Sequence, residues 1–226
     1  TVFACGNNNT GQLGQNDVTN RSTFVPVTGV STATFVACGS GQTIMLLQNG
    51  SVVGCGSNTS GQLGVGDLIN RSTPVPMVSV STAISVACGY VHTLILLTNG
   101  TVVATGINTY GQLGIGDTTT RSTPVPVTGV STATAITAGI EQSAVLLSDG
   151  TVVVCGRNFY GELGLGDTNN RTTMVPVPGI STAVAVSYSA SNLMIVLADG
   201  TVKVCGRNNQ GQLGVSRQQA QVGRGD

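Results

Sequence analysis

Charge is scarce in this chain. Asp, Glu, Lys and Arg make up 8% of its 226 residues, against roughly 25% in an ordinary globular domain. Nine Lys+Arg balance nine Asp+Glu, leaving a formal net charge of +0. Without a basic field there is nothing to hold a phosphate backbone or an anionic bilayer, so neither nucleic acid nor membrane is expected as a partner. A single histidine and the absence of any Cys-x-x-Cys leave no zinc site of ordinary spacing. No Gly-Lys-Ser/Thr follows the glycine-rich turns, so they are not phosphate cradles, and no nucleophile is placed beside His92 for catalysis. No uncharged apolar run approaches the roughly 18 residues that span a bilayer, and no signal peptide is visible. No catalytic, metal or cofactor site is expected. What is abundant is glycine, at 32 residues, with Thr, Val, Asn and Ser. That composition predicts an all-β chain of short strands and tight turns.

The chain repeats every 50 residues through four copies without insertion or deletion. Gly-Gln-Leu-Gly occurs at Gly11–Gly14, Gly61–Gly64, Gly111–Gly114 and Gly211–Gly214, and as Gly-Glu-Leu-Gly at Gly161–Gly164. Val-Pro follows at Val25, Val75, Val125 and Val175, then Ser-Thr-Ala from Ser31, Ser81, Ser131 and Ser181. Each copy closes on Asn49-Gly50, Asn99-Gly100, Asp149-Gly150 or Asp199-Gly200, dipeptides that favour a type I′ hairpin turn. Apolar runs flank these turns, Ile44–Leu47 before and Val52–Cys55 after, and they predict strands covered on both faces. Phe35–Gly39 and its counterpart Ser85–Gly89 read as a third strand. The segment around Val25-Pro26-Val27 reads as a fourth, kept to an edge by its prolines. Four antiparallel strands per repeat make the blade of a β-propeller.

The ordered set Cys-Gly-x-Asn-x-x-Gly-Gln-Leu-Gly, then Gly-Asp (Gly66-Asp67, Gly116-Asp117, Gly166-Asp167), an Arg four positions on, and Asp-Gly-Thr-Val resembles the RCC1 (regulator of chromosome condensation) repeat family up to about Val215. The resemblance implies RCC1-like blades, four repeats plus a partial fifth, within a propeller typically of seven blades that serves as a rigid surface for protein partners. Two positions depart from it. The aromatic residue often found before the first glycine of the motif is Cys or Thr here, and the His-Thr pair survives only as His92-Thr93. Residues 1–215 are expected to hold the repeats and 216–226 a divergent tail, whose terminal Arg224-Gly225-Asp226 is too short to carry meaning.

The ends repeat one another, since Thr1–Gly14 and Thr201–Gly214 are the same portion of the unit. The chain is therefore a segment of a longer array, a set of blades completed by other chains, or a four-bladed ring with a spare strand. Lys203 stands where other copies place Phe3, Val53, Val103 and Val153, which predicts an uncovered face there.

Six cysteines fall at two phases of the repeat: Cys5, Cys55, Cys155 and Cys205 in one, Cys38 and Cys88 in the other. Neighbouring sheets stand about 10 Å apart and a disulfide needs Cα atoms within about 7 Å, so reduced core thiols are expected. The pairs Asp17/Arg21, Asp67/Arg71, Asp117/Arg121 and Asp167/Arg171 predict an internal clamp on the long loop. Asn-x-Ser/Thr sequons such as Asn20-Arg21-Ser22 follow from turn chemistry in the repeat.

What differs among copies lies in the rim loops. There Tyr90, Tyr110, Arg157, Phe159 and Tyr160 are of the types that dominate interface energetics. With Glu141 and His92, the latter also a candidate core residue, they are the expected partner contacts. The expected function is a non-enzymatic scaffold for a protein partner, or for copies of itself that complete the propeller. Two alternatives stand beside it: guanine-nucleotide exchange on a small GTPase, which the family's best-known member would imply, and an architectural role in a virion, filament or surface coat.

Overall fold

The computed structural model describes residues 1–214, so the expected tail at 216–226 lies outside the described residues. Among the described residues there is strand and turn but no helix, and hence no helix long and apolar enough to cross a membrane. The chain begins with β1 (Phe3–Gly6) paired to β2 (Arg21–Pro26). Three complete four-stranded blades follow. They are β3 (Ala33–Cys38), β4 (Gln42–Leu47), β5 (Val52–Gly56) and β6 (Arg71–Pro76); β7 (Ala83–Cys88), β8 (His92–Leu97), β9 (Val102–Gly106) and β10 (Arg121–Pro126); and β11 (Ala133–Ala138), β12 (Gln142–Leu147), β13 (Val152–Gly156) and β14 (Arg171–Pro176). The last sheet has three strands, β15 (Ala183–Ser189), β16 (Asn192–Leu197) and β17 (Val202–Gly206). Strands β3, β7, β11 and β15 lie beside one another on the inner side, and the proline-bearing strands form the outer edges as expected.

The hairpins form where the closing dipeptides place them, but the turn is not type I′. Gly50 takes φ 78°, while Asn49 is not among the positive-φ residues. The Gly50 N–H donates to the Leu47 carbonyl at 2.9 Å, a type I turn followed by a left-handed glycine. The Asn or Asp is needed instead as an acceptor. Asn49 Oδ1 takes the Ser51 N–H at 3.0 Å, and Asp149 and Asp199 take those of Thr151 and Thr201 at 2.9 and 2.8 Å.

The core lies between sheets. Ile44, Leu46, Val52, Leu63 and Met77 of one blade pack with Val80 of the connecting segment on Val86 and Ile95 of the next, all buried, and equivalent clusters recur across the other interfaces. Leu63, Leu113 and Leu163, from the Gly-x-Leu-Gly turns, are wholly buried there. Asn58, also wholly buried, shapes that turn. Its Oδ1 accepts the Leu63 N–H at 3.0 Å, and its Nδ2 donates to the Asp67 carbonyl at 2.9 Å and to Asp67 Oδ1 at 3.2 Å. Asp67 Oδ2 in turn holds Arg71 at 2.5 Å, the expected clamp, repeated at Asp17–Arg21, Asp117–Arg121 and Asp167–Arg171. Backbone N–H bonds, the largest cause, and the arginine partner keep these aspartates below the usual carboxylate range.

Turns held this way dock on the following blade. A β-carbon on Gly11, Gly61 or Gly111 would lie 2.5 Å from the Cα of Ser72, Ser122 or Thr172, so only glycine fits. At Gly161 nothing stands within 4 Å.

The ring reading is overturned. Among the described residues β1-β2 and β15-β16-β17 remain separate sheets, and the arc stays open. Its end faces are bare: Phe3, Phe24 and Phe35 are exposed at one end and Val202, Lys203 and Val204 at the other.

The cysteine expectation needs a matching correction. All six are free, and Cys38 and Cys55 are kept apart by Thr43, which pairs with both. Cys55 and Cys155 are buried, but Cys5 and Cys38 are exposed because no sheet covers them at the open end. Burial pushes the Cys55 thiol up to about 12. Under native conditions Cys5 and Cys38 should alkylate quickly, and Cys55 and Cys155 only on unfolding, as peptide mapping after timed labelling would show. Gly111→Ala should cost several-fold more stability than Gly161→Ala in urea unfolding. Both positions share a positive φ, worth about 1–2 kcal/mol to a side chain, but only Gly111 abuts a neighbour's backbone.

Candidate functional site

The loops that carry sequence variation meet at one end of the arc, because each β5-type strand exits beside the loop between the two inner strands. The Ser57, Ile107, Arg157 and Arg207 N–H groups donate to the carbonyls of Gly41, Val91, Glu141 and Ser191 at 2.7–3.2 Å.

Arg157 is the centre of the rim. Its Nη1 lies 2.7 Å from Glu141 Oε2, its Nε 3.2 Å from Glu162 Oε1, and its Nη2 donates to Ser191 Oγ at 3.1 Å. Its guanidinium also lies 5.8 Å from the Phe159 ring centre and 5.9 Å from that of Tyr160. Arg207 approaches the other aromatic neighbour, 5.5 Å from the Tyr160 ring. Tyr110 meets Phe159 edge to face, with centroids 5.5 Å apart and planes at 83°. Contacts of these kinds fix aromatic rings in place before any partner arrives. Phe159 and Tyr160 remain half exposed, at 52% and 50%.

Five of the seven expected contact residues, Tyr110, Glu141, Arg157, Phe159 and Tyr160, thus converge on one patch. Tyr90 stands apart, 54% exposed, at the mouth of a cavity of about 210 Å³ on the inner side, with Cys38, Ser40, Cys88, Ile140 and Ala190. His92 requires correction as a contact. It is wholly buried between blades, its Nε2 3.0 Å from Ser143 Oγ, and its Nδ1 has no hydrogen-bond partner. It replaces the buried Gln42 and Gln142 of the flanking copies, so it serves the core and reaches no partner.

Glu162 was missed as a site residue. It is the only glutamate in the Gly-x-Leu-Gly series and is wholly buried, so its charge requires a cation. In two other copies the glutamine there donates to the residue five positions back, Gln12 to Asn7 at 2.8 Å and Gln62 to Ser57 at 3.0 Å. Ile107 offers Gln112 nothing, and the Gln112 Nε2 has no partner. Only in the fourth copy do both positions change together, to Arg157 and Glu162. That paired change was the signal in the sequence.

Repeated antiparallel sheets packed face against face are the blades of a β-propeller. The chain belongs to the RCC1-like domain family, whose model matches residues 1–224. Human WBSCR16 is similar at 26% identity and a TM-score of 0.83, over 95% of this chain and 59% of that one. Prp20p from Saccharomyces cerevisiae is similar at 22% identity and a TM-score of 0.82, over 96% and 55%. Yeast RCC1 (Prp20), solved bound to Kap60, is similar at 19% identity and a TM-score of 0.80, over 91% and 51%. The chain therefore spans between half and three-fifths of these solved chains. No curated protein matches it significantly.

Burial pushes His92 down to about 4, against a smaller opposing effect of the Gln142 backbone. The unfolded chain takes up this proton near 6.5 and the folded one resists it to about 4, so acid favours unfolding across that window. The shift corresponds to about 3 kcal/mol. His92→Gln should remove most of this loss, so that its urea midpoint falls less than that of the unaltered chain between pH 7 and pH 4.5.

Proposed function

We propose that the chain is a non-enzymatic scaffold that holds a protein partner on the rim patch of Tyr110, Arg157, Phe159 and Tyr160. The observation that carries this reading is the patch itself. Two half-exposed rings are locked by Arg157, which is held by Glu141 and Glu162, and with Arg207 beside Tyr160 the two arginines balance the two glutamates, so the surface offers preorganised apolar faces at no net charge. Such surfaces lose little entropy on binding. Prp20p's structure was solved with attention to its binding to Gsp1p and histones, and yeast RCC1 was solved with Kap60, so propellers of this fold do hold proteins.

The test compares the immobilised chain with a Phe159→Ala/Tyr160→Ala variant matched in stability. A partner bound at the rim should be retained at least tenfold less by the variant, as the loss of two hot-spot rings implies. Equal retention by both would overturn this site. Accelerated release of a fluorescent guanine nucleotide from a GTPase would move the function to exchange.

A further inference from the structure

Two of the hairpin turns hold a pair of residues that can react with one another. Asn49-Gly50 and Asn99-Gly100 set an amide side chain before a glycine, whereas the equivalent turns hold Asp149-Gly150 and Asp199-Gly200. Asn49 and Asn99 are exposed. Glycine has no side chain to shield its backbone nitrogen, so that nitrogen can attack the preceding asparagine Cγ and close a succinimide ring.

The two turns match in nearly every contact that bears on this attack. Gly50 and Gly100 take φ 78° and 77°, and their N–H groups donate to the Leu47 and Leu97 carbonyls at 2.9 and 3.0 Å. A β-carbon on either would stand 2.6 Å from the Ser81 or Ser131 carbonyl oxygen. Asn49 Oδ1 accepts the Ser51 N–H at 3.0 Å, as Asn99 Oδ1 accepts that of Thr101 at 3.0 Å. One donor separates them: Thr101 Oγ1 also donates to Asn99 Oδ1, at 2.6 Å. The branched β-carbon of threonine restricts χ1 and keeps its hydroxyl on the amide oxygen. The unbranched Ser51 makes no such bond among the described residues.

We propose that Asn99 is a site of spontaneous modification, converting to aspartate faster than Asn49 because Thr101 gives its reacting oxygen a second hydrogen-bond donor. Gly100 N loses its proton to solvent and bonds to Asn99 Cγ, and the displaced electron pair settles on Oδ1, where the Thr101 N–H and hydroxyl receive it. Collapse of that oxyanion breaks the Cγ–Nδ2 bond, and Nδ2 leaves as ammonia after taking a proton from water. Water then opens the ring at Cγ to give aspartate, or at the Asn99 backbone carbonyl to give isoaspartate. Nothing is oxidised or reduced. A hydrogen bond aimed at a developing oxyanion is stronger in the transition state than in the ground state, so it speeds the step. The restraints that both turns share cancel in the comparison.

One product is already built into the fold. Asp149 and Asp199 stand in the same turn and accept the Thr151 and Thr201 N–H groups at 2.9 and 2.8 Å. Aspartate at 99 therefore keeps the turn and adds a negative charge to a chain of formal net charge +0. Isoaspartate lengthens the backbone by a methylene and displaces Gly100. That glycine's N–H holds the Leu97 carbonyl, and its own carbonyl takes the Ala133 N–H at 2.9 Å where the next blade begins.

Peptide mapping of the whole chain, incubated folded in mildly alkaline buffer, tests this by following amide-to-acid conversion at both sites. Residue 99 should convert about fivefold faster than residue 49, the worth of one neutral hydrogen bond. Thr101→Val, which removes only the hydroxyl, should bring residue 99 down to the rate at 49, and Ser51→Thr should raise 49 toward 99. In urea the two rates should converge, because no hydroxyl is held in place. Asn99→Asp should unfold at the urea midpoint of the unaltered chain, and the chromatographically separated isoaspartate form at a lower one. Equal rates in the folded chain, or a rate at 99 indifferent to Thr101→Val, would overturn the proposal. A difference that persists undiminished in urea would also sink it, by assigning the rate to neighbouring sequence rather than to the turn.

Discussion

One buried asparagine in each repeat fixes the rest of the fold. Asn8, Asn58, Asn108 and Asn158 are wholly buried, and each uses its oxygen on the leucine N–H of the Gly-x-Leu-Gly turn and its nitrogen on the aspartate nine residues on. That bridge decides where the leucine enters the interface and where the glycine turn meets the next blade. An unpaired buried amide or N–H costs about 1–3 kcal/mol, so each loop holds one conformation. The spacing between sheets follows from a polar contact, although apolar burial supplies most of the stabilising free energy.

The fourth copy departs from that frame at a charge. A buried carboxylate replaced by an amide loses little when the amide finds a partner, but a carboxylate without a cation is strongly disfavoured. Glu162 is tolerable because Arg157 stands five residues before it, and Arg157 then reaches Glu141 and Ser191 as well. The three-sided hold leaves the aliphatic stem and flat guanidinium fixed beside Phe159 and Tyr160. Rim rigidity and core electrostatics are thus two aspects of one arginine.

Much of this was legible in the sequence. The period located every blade, the prolines located the edges, and the phase of the cysteines kept Cys38 and Cys55 apart across Thr43. The convergence of Tyr110, Glu141, Arg157, Phe159 and Tyr160 was not legible, since loops one repeat apart meet only because the glycine turns draw adjacent blades together. The type I′ expectation erred because Asn-Gly suits two turns alike, and the choice between them depends on the acceptor role of Asn49 toward Ser51. His92 was ambiguous for a related reason. A rim loop and a strand start are adjacent in sequence, and one residue's shift decides between surface and core.

Near-identical repeats carry a hazard during folding, since a strand can join the wrong copy of its own sheet at little cost. Arg157 works against that error. If β13 paired with β8 instead of β12, the arginine that follows it would meet Val91 where Glu141 should stand, and one arm of the ion triad would be lost. The charge pair that orders the rim is thereby also a proofreading mark, the point at which the chain can tell one blade from its neighbours.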